Sequence, residues 1–454
     1  MSDDEIATYL GYKGYTIKKE NLSVEEQELI RKELTVKPFN NFVDNVESYK
    51  IYEENIKKMY LPKIYAIQKL GMPEGDKLPK GDDIDIEFCG SIRENQREPI
   101  EVSLKTLKTT GGGILVLPCG YGKTCIGLYL ISQIKKKTLV ICHKEFLVEQ
   151  WKERINAFLP EARVGIIQGQ KFDIEDKDIV IGMLQSLSMK EYELDAFDSI
   201  NFLIIDECHH ISSRVFSRAL RRLNCDYHLG LSATPKRADG LMKVLNWHIG
   251  DIFFTVSNKD DNKQKRDVKV IQYTLSSENP IHYQELLNYQ KRPNVVGMIS
   301  NVISFQKRNN LIIEKLLELV KDKRNILLLS ERRGHLIELS EMLKKDGFDD
   351  WAFYLGGMKT KELKLAEVRQ VILGTYQMCS EGYDNSNLDT LVMTTSKGDV
   401  EQSVGRILRK KVYDIEPLVV DFVDNFSAFK NQGKKREAFY KKKKYKIEKQ
   451  NINI

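Results

Sequence analysis

Two series of short apolar runs, separated by charged stretches of helical length, most narrow the choice of fold. The first series reads GILVLP, TLVICH, DIVIGM, FLIIDE and YHLGLSAT; the second reads NILLLS, WAFYLG, VILGTY, TLVMTT and LVVDFV. Runs this short, apolar throughout and bounded by turn residues, suit strands buried on both faces, as in a parallel sheet whose crossover helices cover it. The polar stretch SNKDDNKQKRD parts the two series. The expectation is an α/β chain with two tandem domains built on parallel sheets, preceded by a smaller module. The boundaries read as 1–88 for an N-terminal accessory module and 89–256 for the first α/β domain. A linker at 257–298, a second domain at 299–430 and a basic tail at 431–454 follow.

Composition excludes several classes. At 454 residues, 41% hydrophobic and 30% charged, the chain can bury cores without covalent staples and reads as a soluble globular protein. Its apolar runs are far too short to span a bilayer, so no membrane role is expected. MSDDEIATYL lacks the basic and apolar regions of a signal peptide, and the seven cysteines contain no CxxC pair. An intracellular, reducing setting with neither a disulfide framework nor a zinc site is expected. The net charge of +6 says little, but lysines crowd both sides of Phe439 and Tyr440 in KNQGKKREAFYKKKKYKIEKQNINI. Such a tail could lie against phosphates; a solvated helix or a targeting address are the alternatives. In SVEEQELIRKEL, Ser23 and Glu26 have the spacing of a capping box opening a helix.

The chemistry concentrates in a few stretches. LVLPCGYGKT places CGYG between a strand and a helix, where backbone amides and a helix N-terminus hold phosphates. Gly120 and Gly122 permit close backbone approach, Lys123 reaches β- and γ-phosphates, and Thr124 can ligate magnesium. Leu117 stands where the usual loop has its first glycine, and alone the stretch could be a glycine-rich turn ending in Lys-Thr. Downstream, FLIIDECHH puts Asp206 and Glu207 at the end of a second apolar strand. There an acid can hold magnesium while its neighbour positions or deprotonates water; an acidic turn is the plain alternative. QSVGRILRK sets Arg406 and Arg409 three residues apart, on one face if helical, to neutralise charge on a γ-phosphate. Alone it would read as a basic surface helix.

Together with LSATPKRADG, these stretches resemble the superfamily 2 helicases, over about residues 90 to 430. The resemblance implies two RecA-like domains with ATP and Mg²⁺ between them. Helicases of this superfamily often lack the first glycine of the loop, so Leu117 is no objection. It also implies roles for further residues. IRENQ is similar to the adenine-reading segment, with Arg93 and Gln96. CHKEFLVEQW and MLQSL, carrying Gln150, Gln185 and Ser186, resemble strand-contacting motifs, and Thr375 in GTYQMCSEGYD implies a backbone contact. His209, Ser232, Thr234, Gly382 and Asp384 fall on positions that couple hydrolysis to movement, and Gln402 would assist Glu207 with the water.

The variable positions narrow the group. The box is Asp-Glu-Cys-His, and GRILR with ATPKRADGL is similar to DNA helicases and translocases of repair, recombination and transcription, including the xeroderma B type and the transcript-release helicases of large DNA viruses. Two departures stand out. Arg237-Ala238-Asp239 replaces Arg-Glu-Asp, and 17 residues between Asp384 and Gln402 leave little room for a strand-separating hairpin. The expectation is an ATP-dependent motor on nucleic acid, DNA first, translocating or unwinding, with transcription or repair proteins as further partners. An RNA helicase, a motor subunit of a larger nuclease or transcription machine, and a non-catalytic clamp are the rivals.

Overall fold

The computed structural model describes residues 6–38, 47–118, 120–210, 213–220, 223–233, 240–256, 267–380, 385–410 and 413–454. They form two compact units, Met1–Asp260 and Asp261–Ile454. All ten apolar runs of the two series are strands.

The larger sheet of the first unit has eight strands. From one edge they are Lys171–Phe172, Val164–Gln168, Ile179–Met183, Thr138–Cys142, Phe202–Ile205, Tyr227–Ser232, Gly112–Val116 and Ile252–Thr255. Every pairing is parallel except that of the short edge strand Lys171–Phe172. Thr138–Cys142, Phe202–Ile205 and Gly112–Val116 are buried along their whole length, which is why they read as unbroken apolar runs. Helices Lys123–Ile134 and Glu145–Phe158 contribute Leu128, Ile131, Val148 and Trp151 to one core of this sheet.

The N-terminal module belongs to the same unit. Its five-stranded sheet runs Glu53–Glu54, Lys58–Leu61, Gly14–Lys18, Thr8–Gly11 and Gly75–Asp76. Helix Val24–Glu33 opens with the expected capping box: Glu26 N donates to Ser23 Oγ at 3.1 Å, and Ser23 N to Glu26 Oε2 at 2.8 Å. Leu10, Tyr15, Met59 and Tyr65 share one core with Leu241 and Val244 of the α/β domain, and Tyr65 meets Trp247 edge to face at 5.5 Å. Lys63 is 7% exposed; its ammonium donates to the carbonyls of Cys225 (2.8 Å) and Asp226 (3.1 Å), just before strand Tyr227–Ser232. Apolar burial and a charge capped by two carbonyls fasten the module to the sheet.

The second unit holds a seven-stranded sheet in the order Trp351–Tyr354, Val371–Thr375, Ile326–Ser330, Thr390–Met393, Leu418–Asp424, Lys269–Ser276 and Lys446–Asn453, parallel throughout. Two stretches differ from the sequence boundaries. The expected linker contains strand Lys269–Ser276 and the start of helix Val295–Ile303. The expected basic tail completes helix Ser427–Lys442 and adds edge strand Lys446–Asn453, whose exposed Lys449 and Glu448 suit a sheet margin. Two buried arginine–aspartate pairs pin the strand Leu418–Asp424. Arg436 holds Asp421 (Nη2 to Oδ1 2.9 Å), and Arg308 holds Asp424 (Nε to Oδ1 2.8 Å). The same guanidinium groups donate to the carbonyls of Lys397 and Thr394, each at 2.6 Å, bracing the turn that precedes Gln402. Among the described residues no helix is long and apolar enough to cross a membrane.

Candidate active site

The C-terminal ends of three neighbouring strands of the first sheet carry the site. Gly112–Val116 leads into the glycine loop, Tyr227–Ser232 lies beside it, and Phe202–Ile205 lies one strand further on and ends at Asp206. In open α/β sheets this end of the strands is where ligands bind.

The loop turns on two glycines in the left-handed region, Gly120 (φ 81°) and Gly122 (φ 95°). Gly122 caps the twelve-residue helix Lys123–Ile134. A φ of 95° favours glycine at Gly122, and a Cβ there would also push against the Gln96 amide nitrogen. Leu117 contributes through its backbone: its carbonyl accepts from Lys123 Nζ at 3.5 Å and its amide donates to Ser232 O at 3.0 Å, while its side chain is buried in the core. A glycine is therefore not needed at that position.

Lys123 Nζ lies 3.1 Å from Glu207 Oε1. Glu207 has a φ of 45°, strained for a side chain with a Cβ and typical of positions held by their surroundings for function. Its Oε2 accepts from Ala233 N at 3.3 Å and lies 3.5 Å from His209 Nδ1. That nitrogen is 2.8 Å from the Ser232 hydroxyl. Lys123, Glu207, His209 and Ser232 thus form one connected polar chain across the strand ends. Asp206, beside it, is 6% exposed; its Oδ2 accepts from Trp151 Nε1 at 2.9 Å and its Oδ1 from Glu207 N at 3.0 Å. Burial, and then the neighbouring Glu207 charge, push the Asp206 carboxyl up to about 6, against the pull of Trp151 and Lys123.

These donors fit a nucleotide with magnesium. The loop amides and helix N-terminus suit phosphates, and the crowded carboxylates with the Thr124 hydroxyl are hard oxygen donors. Among the described residues no cluster of three or more His, Cys, Asp or Glu side chains could hold a metal ion. Mg²⁺ bound mainly by water and phosphate needs no such cluster.

Other expected residues sit as follows. Gln96, 1% exposed, donates to the Tyr121 carbonyl at 2.9 Å and accepts from Arg93 N at 3.0 Å, so it braces the loop from behind. The Arg93 charge reaches Cys125 in the first turn of the loop helix. Gln150 lies on helix Glu145–Phe158, half-buried. Gln185 donates to His143 O at 3.2 Å, and the Ser186 hydroxyl accepts from Gly169 N at 3.0 Å, both from helix Leu184–Met189. Thr234, Gly382 and Asp384 lie outside the described residues.

In the second unit, Thr375 ends strand Val371–Thr375 and its hydroxyl accepts from Met378 N at 3.4 Å. Gln402 lies on helix Glu401–Gly405. The expectation that Arg406 and Arg409 share a helical face is corrected. The helix ends at Gly405, Arg406 caps it, and Arg409 follows in irregular backbone after a turn closed by Ile407 N to Val404 O. Arg406 is buried, and its charge reaches Tyr354 and Cys379, offsetting the rise that burial causes in both. Sequence reasoning missed the Trp151–Asp206 bond, although Trp151 closes one of the quoted motifs; the signal is an indole on a helix packed against the acidic strand.

Known proteins resemble this chain in sequence and in fold. Residues 90–237 match the family described as type III restriction enzyme, res subunit. The chain is 35% identical over 460 residues to "Putative ATP-dependent RNA helicase L396" of Acanthamoeba polyphaga mimivirus, covering 99% of this chain and 88% of that protein. It is 32% identical over 198 residues to DNA 3'-5' translocase XPB2 of Sulfurisphaera tokodaii, 43% of each chain. Among solved structures, S. cerevisiae Dbp5 bound to RNA and ADP BeF3 superposes with a TM-score of 0.54 at 14% identity, over 78% of this chain and 89% of that one, a likeness of fold alone. Fold and site define a nucleotide-hydrolysing motor built on two RecA-like domains. The chain belongs to the superfamily 2 helicases and is an ATP-dependent nucleic-acid helicase or translocase, hence a nucleic-acid-dependent ATPase, resembling viral and xeroderma B-like members.

Proposed function

We propose that this chain is a DNA-stimulated motor that hydrolyses ATP with Mg²⁺ at the strand-end cluster of the first unit and converts the cycle into movement along DNA. The observation that carries the reading is the polar chain from Lys123 through Glu207 and His209 to Ser232, with Asp206 held beside it. Lys123, Gly120 and Gly122 hold the phosphates, while Arg93 and Gln96 secure the base side and the loop behind it. Thr124 and Asp206 hold Mg²⁺, which when bound offsets phosphate charge. When Lys123 turns to the phosphates it leaves the Glu207 carboxylate, which then accepts the proton of the attacking water, with Gln402 assisting. Arg406 and Arg409 supply positive charge to the γ-phosphate.

Coupling follows from the same chain. A change at Glu207 is felt by His209 and Ser232, and through the Leu117–Ser232 backbone bond by the loop itself. Thr234, Gly382 and Asp384 complete the coupling set. Gln150, Gln185, Ser186 and Thr375 contact the strand, largely at its backbone, so sequence preference is slight. Movement requires that nucleic-acid affinity differ between nucleotide states.

DNA is favoured by the motif pattern and by the 32% identity to a DNA translocase. An RNA substrate is the second reading, favoured by the name of the mimivirus relative. The test is ATP hydrolysis by wild type and Lys123→Ala with matched single-stranded DNA, duplex DNA and RNA. Stimulation by DNA and not RNA supports the proposal; stimulation by RNA alone transfers it to RNA remodelling.

A further inference from the structure

The N-terminal module presents a sheet face that the motor cycle does not use. Residues alternate across this sheet, so Leu10, Tyr15, Ile17, Met59 and Leu61 point into the module core. The register sets Tyr9 opposite Thr16 and Thr16 opposite Tyr60, with Lys18 opposite Lys58 on the same outer face. Lysines gather over the two rings. Lys77 and Lys58 stand 4.5 Å and 5.3 Å from the Tyr9 centroid, and Lys13 stands 5.0 Å from that of Tyr60. Among the described residues two acids lie with them: Glu53, 3.3 Å from Lys13, and Glu20, 3.8 Å from Lys18. Lys13, Lys18, Lys58 and Lys77 thus stand, among the described residues, with these two acids on the face.

Both phenol hydroxyls accept bonds from side-chain nitrogens, Tyr9 from Lys58 Nζ at 3.4 Å and Tyr60 from Asn55 Nδ2 at 3.0 Å. A hydroxyl that accepts still carries its own hydrogen to donate outward. The face thus presents ammonium groups and O–H donors together, fixed on rigid strands, which is the chemistry of phosphodiester recognition. Lys63 and the shared apolar core hold the module firmly on the motor sheet.

We propose that this face, Tyr9 and Tyr60 with Lys13, Lys18, Lys58 and Lys77, is a second nucleic-acid contact that grips the phosphate backbone of the strand or duplex on which the motor works. The proposal rests on the motor reading above. Its contacts go to phosphate, so it raises affinity without reading sequence and leaves basal hydrolysis to the strand-end cluster.

The test uses the full chain and three labelled probes of one length: single-stranded DNA, duplex DNA and RNA. Binding is measured by fluorescence anisotropy across a salt series for wild type, Lys58→Gln/Lys77→Gln and Tyr9→Phe/Tyr60→Phe, with thermal melting as the check on folding. The lysine pair should weaken binding about tenfold or more at low salt and lower the slope of log K against log salt by about 2. The tyrosine pair should cost about three- to tenfold. A loss confined to one probe identifies the form of nucleic acid held. Basal ATP hydrolysis, read in the same samples against Lys123→Ala, reports separately on the motor site and should be unchanged in both pairs. Unaltered affinity and salt slope with all three probes, in variants that melt like wild type, would overturn the proposal and leave the face to an acidic protein segment.

Discussion

Trp151 Nε1 donates a 2.9 Å hydrogen bond to Asp206 Oδ2, and both side chains are buried. The bond orients the carboxylate at the end of its strand and opposes the upward pull that burial exerts on its pKa. Trp151→Phe keeps the aromatic volume and removes only the donor. A buried carboxylate oxygen left unpaired costs about 1–3 kcal/mol, so urea denaturation should show a loss of that order. Hydrolysis should fall more than ATP affinity, because the carboxylate geometry is disturbed while the loop is intact.

The His209–Ser232 contact of 2.8 Å joins the acidic box to the strand that hydrogen-bonds the glycine loop. Ser232→Ala and His209→Asn should each lower nucleic-acid-stimulated hydrolysis more than basal hydrolysis. In the double variant the losses should be non-additive by about 0.5–3 kcal/mol, as for partners in one network. Full additivity in a double-mutant cycle would show that the two residues act separately.

Much of this was legible in the chain and some was not. GILVLP and FLIIDE announce their strands because both faces are buried, so the glycine loop after the first and Asp206 and Glu207 at the end of the second fall on strand ends by topology. KIEKQNIN announces nothing. It is a polar edge strand that exists only because Lys269–Ser276 pairs with it along its whole length, and no periodicity in a charged stretch reveals such a partner. Arg406 and Arg409 show a different failure. Their spacing fits a helix, but the helix stops at Gly405, so proximity in sequence did not translate into a shared face. The Lys63 anchor was hidden because a lysine at a helix start ordinarily points to solvent, and only the neighbouring Cys225 and Asp226 carbonyls make burial tolerable.

Acid sensitivity should trace in part to His228. Burial, and then the Lys63 charge, hold its imidazole down at about 4, against 6.5 for the ordinary group, while Nδ1 is 2.8 Å from the His248 carbonyl. The unfolded chain therefore takes up this proton at higher pH than the folded one. The contribution is complete above about pH 6.5, declines as pH falls toward about 4, and is flat below. His228→Asn should flatten that part of a stability profile measured by urea denaturation between pH 7 and pH 4. An unchanged slope would remove His228 from the account.

The pair Arg436–Asp421 is fully buried, with Tyr440 and Gln272 also donating to the carboxylate. Arg436→Met strands that charge and should cost about 3–5 kcal/mol. Because Arg436 also holds the Lys397 carbonyl, stimulated hydrolysis should drop at temperatures where the variant is still folded. Circular dichroism melting alongside ATP turnover separates the two effects.

Glu207→Gln tests the central claim most directly. The amide keeps the size of the side chain and can still meet Ala233 N, but it cannot take a proton from water. Binding of a fluorescent ATP analogue and steady-state hydrolysis should be measured on the same preparation with saturating DNA. The account predicts nucleotide binding within about threefold of wild type and turnover reduced by about a hundredfold or more. Near-normal hydrolysis in this variant would contradict it and place the chemistry elsewhere in the chain.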